Sequence, residues 1–343
     1  MVNVATMTGT LDLPALIAAV QRNCDIADAR HAGELTMCIY LLRMRDFYCW
    51  ERELPPGRDV ARAEVGGWLE KRERHWETIE AATYGNLPLP SGTTDPFDNT
   101  HINAVLGEQG LVYSAGYGRR GRPQFFLGEL ACAETRGRRQ IRVSGREFAR
   151  DVEAHPGMLL GDTVYVRTET LRRWLWERFE EWRWSRKNEA LGRALACYPF
   201  TTDPEAALEA MTRVETESII LHELGEAVVG AELGDAWAAM LGDVAGTRIE
   251  IEARALRDLA ADCASTLPAL VERGNPASIH FHFANLTGMR RELDPALASA
   301  YRRWAEDGDG AALARAAAQG LVRARARALE LLDRPRTRGP GAR

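Results

Sequence analysis

The residues best placed for chemistry lie between Glu215 and Asp235, in ETESIILHELGEAVVGAELGD. An α-helix advances about 100° per residue, so seven residues return almost to the starting azimuth and four overshoot by about 40°. Glu215, His222 and Glu226 therefore share one stripe, and Ile219, Leu221, Leu224, Val228 and Val229 surround it with apolar bulk. An imidazole and carboxylates in such company are costly to bury unless paired or metal-bound. The stripe reads as a metal-ligand face.

Other segments offer further ligands. Asp258 and Asp262 stand four residues apart in RDLAADC, on one face of the next helix, and His280 and His282 alternate in SIHFHFAN. In a helix those two His diverge by about 200°, so at most one should reach the site. Several carboxylates with one or two imidazoles suit iron or manganese better than a structural zinc site, which prefers thiolates. Iron, as one or two ions, is the expected cofactor, with zinc or manganese as alternatives. Glu223 points about 100° away from His222 and is the candidate catalytic base or supporting group. Plainer readings stand beside these. The Glu residues also suit a solvated helix face, and Arg254 and Arg257 alternate with Asp258 and Asp262 as helical ion pairs do.

The run H-E-L-G-E resembles the H-E-x-x-H helix of zincin metalloproteases up to its fifth position, where Glu226 replaces the second His. That resemblance implies a zinc hydrolase in which Glu223 takes a proton from water. The E-x6-H spacing of Glu215 and His222 looks like one ligand helix of the haem-oxygenase-like dinuclear iron oxidases, whose centres are built between facing helices. That family also carries an acidic-x3-His pair, whereas here Asp258 is followed by Asp262. A mononuclear site of His222, Glu226 and His280 or His282 fits equally well. Through YLLRMRDFYCWE, ILHELGEA and SIHFHFANL the chain resembles an uncharacterised, mostly proteobacterial family with no assigned activity.

The elements that must position these residues are mostly helical. Helical patterns run from Thr10 to Ala29, Gly33 to Glu53 and Val60 to Ala82, and Pro55-Pro56-Gly57 stops the second. A Pro-, Gly- and Asp-rich connection spans 86–103. GLVYSAGY and QFFLGELA then read as a β-hairpin, with RQIRVSG and DTVYVR as added strands. One long Trp-rich helix is expected from Thr168 to Tyr198, and further helices over 215–235, 247–272, 278–293 and 311–332. The expected fold is mostly α (α+β), a helical bundle with a small inserted antiparallel sheet. It divides into an N-terminal helical region (1–85), a loop and sheet (86–167), a C-terminal bundle bearing the metal site (168–332) and a disordered tail (333–343).

Composition narrows the setting. The 343 residues are 45% hydrophobic with nine Trp and a formal charge of −5, which argues for a real core and against nucleic acid as a general partner. Six Cys without a CxxC pair favour reduced thiols and a cytoplasmic location. The start MVNVATMTGTLDLP lacks a basic and an apolar signal region, and no apolar run approaches a membrane span. Arg119, Arg120, Arg122, Arg136, Arg138, Arg139 and Arg142 crowd the sheet region, either as a solvated hairpin or as a grip for a phosphate or acidic partner. The Trp174, Trp176, Trp182 and Trp184 stripe is too wide for one core face; part of it is expected to pack the sheet onto the helices, with an interdomain or homodimer contact as the alternative. The leading expectation is a non-haem iron enzyme oxidising a small molecule. The alternatives are a zinc hydrolase and a non-catalytic scaffold or regulatory protein using the Arg-rich hairpin.

Overall fold

Asp12 accepts the amide of Ala15 and Pro14 occupies the first turn, so the first helix, α1 (Leu13–His31), starts where a side-chain cap and a fixed φ coincide. The computed structural model describes residues 10–118, 121–286 and 288–333. They divide into two units. The first holds the described residues up to Arg136, with Gln140–Pro156 and Arg167–Arg173; the second holds Gly137–Arg139, Gly157–Val166 and the described residues from Trp174 on. The N-terminal helices and most of the expected sheet region thus share one unit.

In the first unit, α1 is followed by α2 (Met37–Glu51) and α3 (Arg62–Ile79), the short antiparallel pair β1 (Leu87–Leu89) and β2 (Gly92–Thr94), and α4 (Asn99–Gly107). Strands β3 (Leu111–Tyr117), β4 (Pro123–Arg136) and β5 (Arg139–Arg150) come next; β3 and β4 are antiparallel from Leu111↔Glu129 to Tyr117↔Pro123. Leu16, Val20 and Cys24 of α1 pack with Leu106, Tyr113, Phe125 and Leu127 in one core, and Ile26 joins Met44, Phe47, Trp68 and Trp76 in another. Residues 86–103 are therefore not all connection. Asp98 caps α4 by accepting the amide of His101, and Ile102, Val105 and Leu106 turn one apolar face inward.

A buried ionic network ties this unit together. Glu147 accepts from the Arg167 guanidinium through Oε2, and from the Thr170 amide (3.0 Å) and hydroxyl (2.6 Å) through Oε1. Arg150 donates to Asp46 at 2.9 Å.

The second unit contains the antiparallel hairpin of β6 (Gly157–Leu160) and β7 (Thr163–Arg167), then α5 (Thr168–Ser185), of which Trp174 onward belongs here, and α6 (Glu189–Ala196). The single helix expected over 168–198 is thus broken, because Asn188 caps α6 by accepting the Leu191 amide. Trp174 meets Phe281 edge-on and Trp176 meets Phe179, while Trp184 is 90% exposed. Helix α7 (Pro204–Asp243) begins well before Glu215, capped by Asp203, and bends at Gly234, whose φ of 64° leaves the helical region.

Helix α8 (Arg248–Ala261) runs into a π turn (Asp262–Thr266), in which the Leu267 amide reaches back to the Asp262 carbonyl, and then into α9 (Leu267–Glu272). The expected helix over 278–293 is two, α10 (Pro276–Asn285) and α11 (Met289–Leu293). Helices α12 (Pro295–Asp307) and α13 (Gly310–Asp333) complete the unit around a core that includes Leu256, Leu259, Phe283, Leu297, Tyr301 and Leu313. The fold is mostly α with some β. Asp333, expected to open the disordered tail at 333–343, instead ends α13, and Arg119, Arg120 and residues 334–343 lie outside the described residues. Among the described residues, no helix is long and apolar enough to cross a membrane.

Candidate metal centre

Gly225 sits between His222 and Glu226 on α7, against the backbone of Ala261, and a Cβ there would collide with the Ala261 carbonyl. A glycine inside a helix costs stability relative to alanine, and here it permits the close approach of α7 to the end of α8. His222 and Glu226 are thereby set opposite Asp258 and Asp262. One ligand atom each from His222, Glu226 and Asp258 lies within 4.8 Å of the other two.

Asp262 prepares the imidazole. Its Oδ1 lies 2.7 Å from His222 Nδ1, and His222 Nε2 then faces Glu226 Oε1 at 3.6 Å. A carboxylate on Nδ1 is what orients a ligating imidazole and leaves Nε2 for an ion. Burial works against charge on this ring, but Asp262 and Glu226 outweigh it and raise its pKa well above the usual imidazole range.

The carboxylates divide into two kinds. Burial opposes ionisation of Glu226, yet His222 and Arg257 hold it down to about 2; the Arg257 guanidinium donates to Oε1 at 2.7 Å. Asp262 is buried too, but His282, His222 and Arg290 keep its pKa well below the ordinary range. Asp258 goes the other way, pushed up to about 6 by burial and by the nearby Glu226 charge. Burial and Glu226 likewise raise Glu223 to about 7. Glu223 lies beneath β6, where a Cβ on Gly157 would stand 3.0 Å from Glu223 Oε1.

The two histidines of α10 diverge. His282 is 10% exposed, lies 4.0 Å from Asp262 Oδ2 through Nε2, and that buried nitrogen has no hydrogen-bond partner among the described residues. His280 instead meets the Tyr301 hydroxyl at 2.9 Å and the Trp304 ring. Glu215 shares the azimuth of His222 but stands about 10 Å along the axis from it. It accepts from the Ser278 hydroxyl at 2.7 Å, and burial raises its pKa to about 7. The structure thus brings His222, Glu226, Asp258, Asp262 and His282 together, with Glu223 beside them, and leaves Glu215 and His280 apart.

Two family models cover the chain: Family of unknown function (DUF6866) N-terminal domain at residues 15–167 and the corresponding C-terminal domain at 172–343. The chain belongs to the DUF6866 family. No curated protein and no solved structure matches it. The cluster described above lies wholly within the DUF6866 C-terminal domain.

Several participants in this DUF6866 site carry little sequence signal. Arg257 bonds Glu226 across the helix pair and is 3.9 Å from Asp258, whereas Arg254 bonds Glu250, four residues before it. Arg290 donates to Asp262 Oδ2 at 3.1 Å from a segment, MRREL, with no distinguishing pattern. Gly225 does announce itself, as a glycine inside an otherwise strong helix. Donors on one ion at about 2.1 Å lie roughly 3–4 Å apart. Groups already within 4.8 Å therefore close on an ion by side-chain adjustments of about an ångström.

Proposed function

We propose that this DUF6866 protein is a metal-dependent enzyme whose centre is His222, Glu226 and Asp258, with non-haem iron as the ion and oxidation of a small molecule as the reaction. The observation that carries the proposal is the convergence of these three donors within 4.8 Å on helices held together at Gly225. The donor set has one imidazole, two carboxylates and no thiolate, which favours iron or manganese over structural zinc. His282, whose buried Nε2 has no hydrogen-bond partner among the described residues, stands beside Asp262 at 4.0 Å. The ion would supply electron exchange. The chain's own residues hold it, orient His222 through Asp262, and offer Glu223, with a pKa near 7, to take or return a proton. Six unpaired cysteines suit a cytoplasmic setting for such chemistry.

A zinc hydrolase is the second reading, favoured by Glu223 standing next to His222 with a pKa suited to a general base. Metal analysis of protein purified anaerobically without chelator separates the two. Iron near one equivalent, lost in His222→Ala, supports the oxidative enzyme, and zinc supports the hydrolase. Protein that holds no metal, and whose melting temperature ignores Fe(II), Mn(II) and Zn(II), overturns both.

A further inference from the structure

The first unit holds a small pocket, open on one side, where the end of α1 meets β4 and the residues after β5. Its wall includes Asp28, His31, Leu35, Arg122, Gln124 and Asp151. Among the described residues, two polar atoms on this wall are buried without a hydrogen-bond partner, and they are of opposite kind. Asp151 Oδ1 is an acceptor lacking a donor, and Arg122 Nε is a donor lacking an acceptor.

The remaining atoms of both groups are held in place. Asp151 is 3% exposed, and its Oδ2 accepts the Phe125 amide at 3.2 Å. The Arg122 side chain is 11% exposed; its terminal nitrogens donate to Glu153 and Glu34. Asp28 spans the Val152 amide with both oxygens at 3.1 Å, and each oxygen keeps a further lone pair. The carbonyl end of α1, with its partial negative charge, faces the same region. Unmet buried polar atoms are costly, and a pair of opposite kind on one small cavity calls for a ligand that carries both complements.

We propose that this cavity binds the head group of a small α-amino acid. The ammonium sits against Asp151 Oδ1 and Asp28, and the carboxylate accepts from Arg122 Nε. A bare metal ion would face the Arg122 guanidinium, and a simple anion would face two carboxylates. A zwitterion meets both walls with the matching charge, and the open mouth leaves its side chain toward solvent.

Calorimetric titration of the full chain with the common amino acids, methylamine and acetate tests this. Saturable binding of at least one α-amino acid is expected, with methylamine and acetate at least tenfold weaker. Asp151→Asn keeps an oxygen for the Phe125 amide, and Arg122→Met removes the Nε donor; each should weaken binding by about tenfold to a hundredfold, the usual effect of losing one charge-assisted hydrogen bond. Leu35→Trp fills the cavity without touching its charges and should abolish binding, which keeps the test open if either charge variant fails to fold. Absence of binding by every amino acid overturns the proposal. So does equal binding of methylamine or acetate, or binding that persists through Leu35→Trp.

Discussion

In the first unit Glu147 is enclosed by protein, yet both of its oxygens are met by donors from Arg167 and Thr170. Burial alone would push its pKa up; Arg167 and Arg150 overcome that and hold it below the usual carboxylate range. In the second unit four carboxylates, Glu223, Glu226, Asp258 and Asp262, gather around His222, and the two cations Arg257 and Arg290 address only some of them. Glu226 and Asp262 are held ionised while Glu223 and Asp258 are driven toward neutrality. Burial is common to both places. In the first, cations hold the buried carboxylate ionised; in the second, cations hold two of the four carboxylates ionised and leave the other two near neutrality, and that division is what the proposed metal centre would draw on.

Four substitutions press on that contrast. Glu147→Ala leaves Arg167 buried and uncompensated and should cost about 3–5 kcal/mol in urea unfolding, with metal content of the surviving folded protein unchanged. A smaller loss would make the first network as dispensable as a surface pair. Glu215→Gln tests a buried carboxyl with no cation. Its folded pKa of about 7 lies above the unfolded 4.5, so the folded state binds the extra proton between those values. Wild-type stability should therefore fall as pH rises from about 4.5 to 7. The variant should be equal at about pH 4 and more stable at about pH 8, by roughly 2–3 kcal/mol; equal stability at both pH values would show that Glu215 ionises freely.

Gly225→Ala drives a methyl into the Ala261 carbonyl and should cost about 1–3 kcal/mol. It should also abolish metal uptake by separating His222 from Asp258, so a variant that melts lower but retains its metal would uncouple helix packing from the site. Asp258→Asn has the smallest expected effect on the metal-free protein. Removing a carboxylate that burial already disfavours should leave stability within about 1 kcal/mol of wild type or raise it, while metal affinity drops. Loss of stability without loss of metal would place Asp258 with Glu147, among the architectural charges.

The grouping of His222 with Glu226 was legible in the sequence because helical periodicity is a property of one segment. His222 and Glu226, four apart, and Asp258 and Asp262, four apart, needed only the pitch of a helix to be grouped. Azimuth says nothing of height, and that is why Glu215, on the same stripe, is held two turns away by Ser278. Arg257 and Arg290 act between helices, so their partners are fixed by packing that no local pattern encodes. The fold behaves similarly. The mostly helical character and the β3–β4 hairpin follow from composition and alternation. The helix α4 hides in a stretch whose Pro and Asp content reads as connection, although Ile102, Val105 and Leu106 carry its spacing. The break after α5 is set by the Asn188 cap, a one-residue signal inside a run that otherwise favours helix.

The wide turn at Asp262–Thr266 sets the phase of α9, which continues from it without a break. A π turn amounts to an α-helix with one residue added, so α8 can keep step with α7 while α9 starts from a different angle. Deleting a single residue there, Ala264 for instance, would leave Asp258 where it is and swing α9 by about 100°.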